Sequence, residues 1–240
     1  MESDPIRRCR SPRLRALTLF AATVVAACGA TDERAEARLE RELPSVLGPA
    51  DRYDVDVQGV RSDASGADRV HAIGYRVRLE HGPVIDRIDL DLHGIRYDRH
   101  NRRLERADSV RATAWITTAD LGDFLERQDG IRSATVTVQA PDSAFIRMRP
   151  ELPGISLLPG ASVEVSGRLT GKGPWLEYEG ADVNAVGLRL GETIARRISQ
   201  LINPIVDLSD LPFRLDVDSV SVAGRSIRVD ATGDATSLNR

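Results

Sequence analysis

Apolar residues recur at every second position through most of the chain. In YDVDV, Tyr53, Val55 and Val57 share one face while Asp54 and Asp56 take the other. YRVRLE sets Tyr75, Val77 and Leu79 against Arg76, Arg78 and Glu80, and DRIDLDL sets Ile88, Leu90 and Leu92 against Arg87, Asp89 and Asp91. The pattern returns in SVRATAWIT (Val110, Ala112, Ala114, Ile116), ATVTV (Val136, Val138), FIRMR (Ile146, Met148) and SVEVSGRL (Val163, Val165, Leu169). It closes the chain in RLDVDSVSV and SIRVDA. Period two describes a strand with one wet and one apolar face. Such strands belong to antiparallel sheets, because parallel strands are buried on both faces and need crossover helices.

Turn residues punctuate the pattern at Gly59, Gly74, Gly82-Pro83, Asp129-Gly130, Pro141-Asp142, Pro159-Gly160, Gly171 to Pro174 and Ala223-Gly224. Three stretches read as helices. Leu39, Leu43, Val46 and Leu47 fall on one helical face, with Pro44 expected to kink or restart it. Thr117-Thr118-Ala119-Asp120 resembles a capping box with Asp in the place of Glu, opening a helix that buries Leu121, Phe124 and Leu125. The third runs from about Leu190 to Asn203, aligns Ile194, Ile198, Leu201 and Ile202, and stops at Pro204. The predicted fold is α+β: a long, curved antiparallel sheet wrapped around one or two helices. RMRPELPGISLL, from Arg147 to Leu158, reads as a loop covering one end of the sheet.

The N-terminus follows another rule. Ala16 to Ala27 is apolar but shorter than the roughly 20 residues a membrane-crossing helix needs. Arg7, Arg8, Arg10, Arg13 and Arg15 precede it, the arrangement of a secretory signal. Val25-Ala26-Ala27-Cys28 looks like a bacterial lipobox, whose cysteine receives the lipid. The alternative is an ordinary signal cleaved near Ala27 or Ala30. The expected organisation is a lipoprotein signal peptide over 1–27, a tether over 28–36, one α+β domain over 37–235 and a disordered tail over 236–240. The product would be exported and held at the cell envelope, on the periplasmic or outer face of a bacterial membrane, by a palmitate-type lipid anchor on Cys28. Arg7-Arg8 lacks the Phe-Leu that would favour twin-arginine export.

Only Cys9 and Cys28 are cysteines, so no thiol other than the anchor remains after processing and the domain is held by core burial. A net charge of −3 disfavours a surface that tracks nucleic-acid phosphates.

No Gly-x-Ser-x-Gly elbow, phosphate-binding loop or zinc cysteine pair occurs. His71, His81, His93 and His100 match no metal-ligand spacing, and no cofactor is expected. Glu177 and Glu179 project together from a strand and could form an acid–base pair, but the same spacing is an ordinary solvated face. The chain reads as a non-enzyme.

The strand ending in VQGV, then RIDLDLHGIRYD, ADSVRATAWITTADLGDFL and the closing LINPIVDLSDLPFRLDVDSVSVAGRSIRVDATG together resemble the LmeA-like phospholipid-binding proteins of bacterial envelopes. Thr117 to Leu121 and the Leu208 to Pro212 turn carry most of the likeness, which covers about Leu39 to Gly233. Arg61 to Val70 and Arg99 to Arg106 depart from it. The resemblance implies a tubular lipid-binding-like fold, an apolar groove for acyl chains, phospholipid as partner and no chemistry on it.

Composition agrees for its own reason: with aromatics at 4%, walls of Val, Ile and Leu leave room between them. The expected lining is Tyr75, Val77, Leu79, Ile88, Leu90, Leu92, Ile116, Phe124, Val136, Val138 and Met148. Trp115 and Trp175 are expected at the groove mouth, the membrane surface or a packed edge. Arg76, Arg78, Arg147 and Arg149 are either phosphate ligands or solvated residues countering Asp and Glu. Two other readings stand beside the lipid groove: a filled-core interaction lipoprotein that meets a partner through a sheet edge, and an enzyme with unrecognised residues.

Overall fold

The structure is a computed structural model that describes residues 32–61, 63, 65–98, 103–151, 162–185, 188–189, 191–209, 211 and 213–234. Cys28, the signal segment and the tail lie outside the described residues. Helix α1 covers 32–46. Strands β1 (Arg52–Gln58), β2 (Gly66–Arg78), β3 (Val84–Asp98), β4 (Arg103–Arg106) and β5 (Ser109–Thr117) follow, then helix α2 (Thr118–Glu126). Next come β6 (Ile131–Gln139), β7 (Ser143–Pro150), β8 (Val163–Lys172), β9 (Trp175–Ala185) and β10 (Leu188–Arg189). Helix α3 (Glu192–Ile202), β11 (Val206–Asp207), β12 (Asp216–Ala223) and β13 (Ser226–Asp234) complete the order.

The expected α+β, antiparallel architecture is present, divided into two sheets. One runs β1-β2-β3-β5-β13-β12 with β4 beside β3; the other runs β10-β9-β8-β7-β6 with β11 beside β9 and curls into a half-barrel. All described pairings are antiparallel. The sheets meet where β12 crosses the hairpin ends of the second sheet. Val217 donates to the Gly173 carbonyl at 2.7 Å and Val222 to that of Pro141 at 2.8 Å. Gly171 makes this crossing possible, since a Cβ there would stand 2.5 Å from a Val217 methyl.

Alternation governs burial along most strands. In β5, Val110, Ala112 and Ile116 are buried while Arg111 is exposed. Across the sheet Leu90, Ala112 and Ala231 form one inward row, and Ile88, Ala114 and Val229 the next. The rule breaks in β2. Val70, Ala72 and Gly74 are buried, and the next buried residue is Val77. Arg76 stands between them in the left-handed region, at φ 55°, where a side chain is disfavoured. This kink reverses the strand's phase. Tyr75 therefore faces outward with the Arg52 guanidinium 4.4 Å from its ring centre, which corrects its expected place on the lining. Gly74, read as a turn, sits inside β2 opposite Tyr53 and Ile88.

Helix α2 carries the chain from one sheet to the other. Its N-cap is Thr117, whose hydroxyl accepts from the Asp120 amide at 3.0 Å, so the capping signature reads true. Leu121, Phe124 and Leu125 are buried, and the Glu126 carboxylate accepts from the Ala134 amide of β6.

Helix α1 runs through Pro44 without restarting and already covers 32–36, the described part of the 28–36 stretch expected as a tether. It lies on the β1 side of the first sheet, where its Glu36 carboxylate accepts from the Val57 amide. The chain leaves α1 through Gly48, at φ 112° and so close to β2 that a Cβ would lie 2.4 Å from the Arg78 carbonyl oxygen. At the far end, β7 extends to Pro150, so Arg147 to Pro150 is strand and not loop; residues 152–158 of the expected cover lie outside the described residues. Helix α3 buries Ile198 and Ile202 and ends at Asn203, one residue before Pro204, as the sequence predicts.

Candidate functional site

A cleft lies between the inward face of the first sheet and the chain that follows α3. Val77, Ile85, Ile88, Ala112, Ala114, Ile116, Val229 and Ala231 form its sheet wall, with Leu47 and Leu79 beside them. Leu176 of β9, Val206, Leu208, Leu211 and Leu215 form the other. Every lining residue is aliphatic. The free interior is about 30 Å³, room for about two water molecules; with the open mouth included the cleft measures about 560 Å³. Leu79, Ala114, Leu208 and Leu211 are the partly exposed members and mark the opening.

The walls are held differently. The sheet wall is a continuous ladder through β2, β3, β5 and β13. The facing wall hangs from β9 by the two-residue β11 and by bonds from Ile205 to the Leu176 carbonyl and Leu208 to that of Pro174, both 2.9 Å. Asn203 starts this attachment. Its side-chain amide accepts from the Tyr178 amide and donates to the Tyr178 carbonyl, each at 2.7 Å, as a neighbouring strand would. Tyr178 is anchored in turn by its hydroxyl, which donates to the Ala144 carbonyl at 3.1 Å, and its burial pushes the phenol pKa up. Asp207 is held by the Ser209 amide at 2.8 Å. Burial opposes its ionisation, but bonds from Ser209 and the Trp175 indole outweigh it and keep the carboxyl below its usual range.

Charge is organised outside the cleft. The Arg76 guanidinium bonds both oxygens of Asp120 at 2.7 Å, and the Thr117 hydroxyl donates to the same carboxylate. Burial disfavours the Asp120 anion, yet these donors prevail and lower its pKa. On the outward face, Arg87 and Arg228 flank Trp115 at 5.2 and 5.9 Å while binding Asp89 and Asp230. Trp115 is thus packed between arginines on the sheet's back. Trp175 remains 38% exposed.

Of the residues expected to line a groove, Val77, Leu79, Ile88 and Ile116 come together in the cleft. Leu90 and Leu92 continue the same buried face beyond it. Phe124 on α2 and Val136, Val138 and Met148 on β6 and β7 belong to or pack against the common hydrophobic core; none of the four lines this cleft. The second wall was missed because Leu208, Leu211 and Leu215 lie in an irregular stretch with no period to read. Its trace was the Leu208 to Pro212 turn, noted only as a family feature. The arginines largely counter carboxylates: Arg76 binds Asp120 and Asp86, Arg78 binds Asp51, Arg147 binds Glu164, and Arg149 is exposed. Glu177 lies 4.0 Å from the Lys172 amine and Glu179 is exposed. Among the described residues, no group of three or more His, Cys, Asp or Glu is placed to hold a metal ion, and no helix is long and apolar enough to cross a membrane.

The family model described as LmeA-like phospholipid-binding fits residues 26–232 of the chain. No curated protein and no solved structure matches significantly.

Proposed function

The chain belongs to the LmeA-like phospholipid-binding family, and from that premise we propose that it holds phospholipid by drawing an acyl chain into the aliphatic cleft. The observation that carries this reading is the lining itself, fifteen side chains without one polar group. Each methylene moved there from water contributes about 0.8 kcal/mol, so ten contribute roughly 8 kcal/mol before the cost of parting the walls. The weakly attached wall on β9 is the one that yields, because separating it breaks few backbone bonds. Among the described residues that line the cleft there is no nucleophile, acid or base, which favours binding without chemistry on the lipid.

The same reading makes the protein an exported lipoprotein, anchored through Cys28 at the periplasmic or outer face of a bacterial membrane, that holds or transfers lipid or maintains the envelope. Native mass spectrometry of the purified chain, with extraction and identification of what it carries, tests the binding. One phospholipid per chain is the expected result; a bare protein from lipid-rich cells overturns it. The narrow free interior supports a second reading, a filled-core interaction lipoprotein that meets a partner through a sheet edge, and the bare mass would select that one.

A further inference from the structure

The proposed binding leaves open how much of a phospholipid enters, and the cleft's size and floor bear on that. Resting on the reading above, we infer that the cleft takes a single aliphatic tail, leaves the second tail and the headgroup outside, and therefore ranks ligands by tail and not by headgroup. Open mouth included, it measures about 560 Å³. A methylene fills about the space of a water molecule in the liquid, ~30 Å³. Most of the 560 Å³ is open solvent: the enclosed part is about 30 Å³, room for about one methylene before the walls part, so a second tail finds no space beside the first.

The floor is set by short side chains. Ala112 and Ala231 are register partners on β5 and β13, and Ala114 lies two residues along opposite Val229. Ile88 on β3 and Ile116 at the end of β5 rise beside these short side chains, leaving a trough bounded by branched residues. A flexible chain fits such a trough; a rigid fused-ring sterol does not. No side chain among the described lining residues donates or accepts a hydrogen bond, so a headgroup is not read inside. Outside the cleft, next to Val77 and Leu79 in sequence, Arg78 is held by Asp51 at 2.9 Å and Arg76 by Asp120 at 2.7 Å. Both guanidinium groups are thus engaged by carboxylates and are poor anchors for a phosphate.

The test displaces a fluorescent fatty acid from the purified full chain with four competitors: lysophosphatidylcholine, dipalmitoylphosphatidylcholine, dipalmitoylphosphatidylglycerol and cholesterol. The first three are expected to compete within about threefold of one another and cholesterol at least about tenfold more weakly. Ala112→Leu and Ala231→Leu are expected to lower binding of all three by about tenfold or more while the thermal melt stays cooperative. If either fails to fold, Ala114→Leu at its half-buried position gives the same reading. A lysolipid about tenfold weaker than both two-tailed lipids overturns the inference but leaves phospholipid binding standing. So does a tenfold preference between the two headgroups, tight cholesterol binding, or a folded leucine variant that binds normally. If neither the fatty acid nor any phospholipid binds, the inference and the reading beneath it both fall.

Discussion

The Arg76 guanidinium grips both carboxylate oxygens of Asp120 at 2.7 Å from a backbone held at φ 55°. The two facts belong together. A left-handed arginine costs about 1–2 kcal/mol, and the fork onto a carboxylate only 7% exposed offsets it. The consequence is the reversal in β2 that turns Val77 and Leu79 into the cleft.

Arg76→Ala leaves the buried Asp120 carboxylate with the Thr117 hydroxyl as its hydrogen-bond donor. The expected loss is about 2–3 kcal/mol, below the value for a fully buried pair because Arg76 is partly exposed. Its pH dependence carries the signature. Asp120 has a lowered pKa in the fold, so its contribution is complete above the unfolded carboxyl value and disappears as pH falls through the folded one. Urea titrations of wild type and variant should therefore differ at neutral pH and converge in strong acid. A gap that persists there would assign Arg76's role to packing.

Asn203→Ala removes both bonds to the Tyr178 backbone and leaves those buried groups unpaired, for an expected cost of about 2–3 kcal/mol. Hydrogen exchange should quicken first at the Ile205 and Leu208 amides, which attach the second wall. Uniform quickening across both sheets would mean that Asn203 supports the whole fold and not this wall.

Gly48→Ala places a Cβ 2.4 Å from the Arg78 carbonyl oxygen and forces a side chain into the positive-φ region. A destabilisation of about 2 kcal/mol, or a melting point lower by roughly 4–8 °C, is expected. An unchanged melt would show that the α1 exit can move freely.

Leu211→Glu sets a carboxylate at the half-exposed rim of a wholly aliphatic cleft. The charge remains solvated in the empty protein but is buried when a tail enters, so lipid uptake should fall by about tenfold or more. The melting point should stay within about 4 °C of wild type. Undiminished uptake would place the lipid elsewhere.

Cys28→Ser removes the thiol that the anchoring reading requires. Labelled palmitate should mark the wild-type chain and not the variant, and the variant should leave the membrane fraction. Equal membrane retention of both would refute the anchor.

The sequence by itself determined most of the long strands, their antiparallel pairing class, the N-cap of α2 and the C-terminal stop of α3. These follow from local rules: period two, a threonine three residues before a carboxylate, and an asparagine before a proline. It also determined that Val77, Ile88 and Ile116 face inward. Only the tertiary structure decided that the strands form two sheets, that Tyr75 turns outward and that Met148 and Val136 pack away from the cleft. The left-handed turn at Arg76 depends on Asp120, forty-four residues later, and no local pattern reveals a phase reversal set by such a partner. Nor does periodicity find Leu208, Leu211 and Leu215, whose wall stands where it does because Asn203 and β11 pair with β9. Side-chain alternation is written residue by residue, but a cavity is the space left between two segments, and that is fixed only when both are docked.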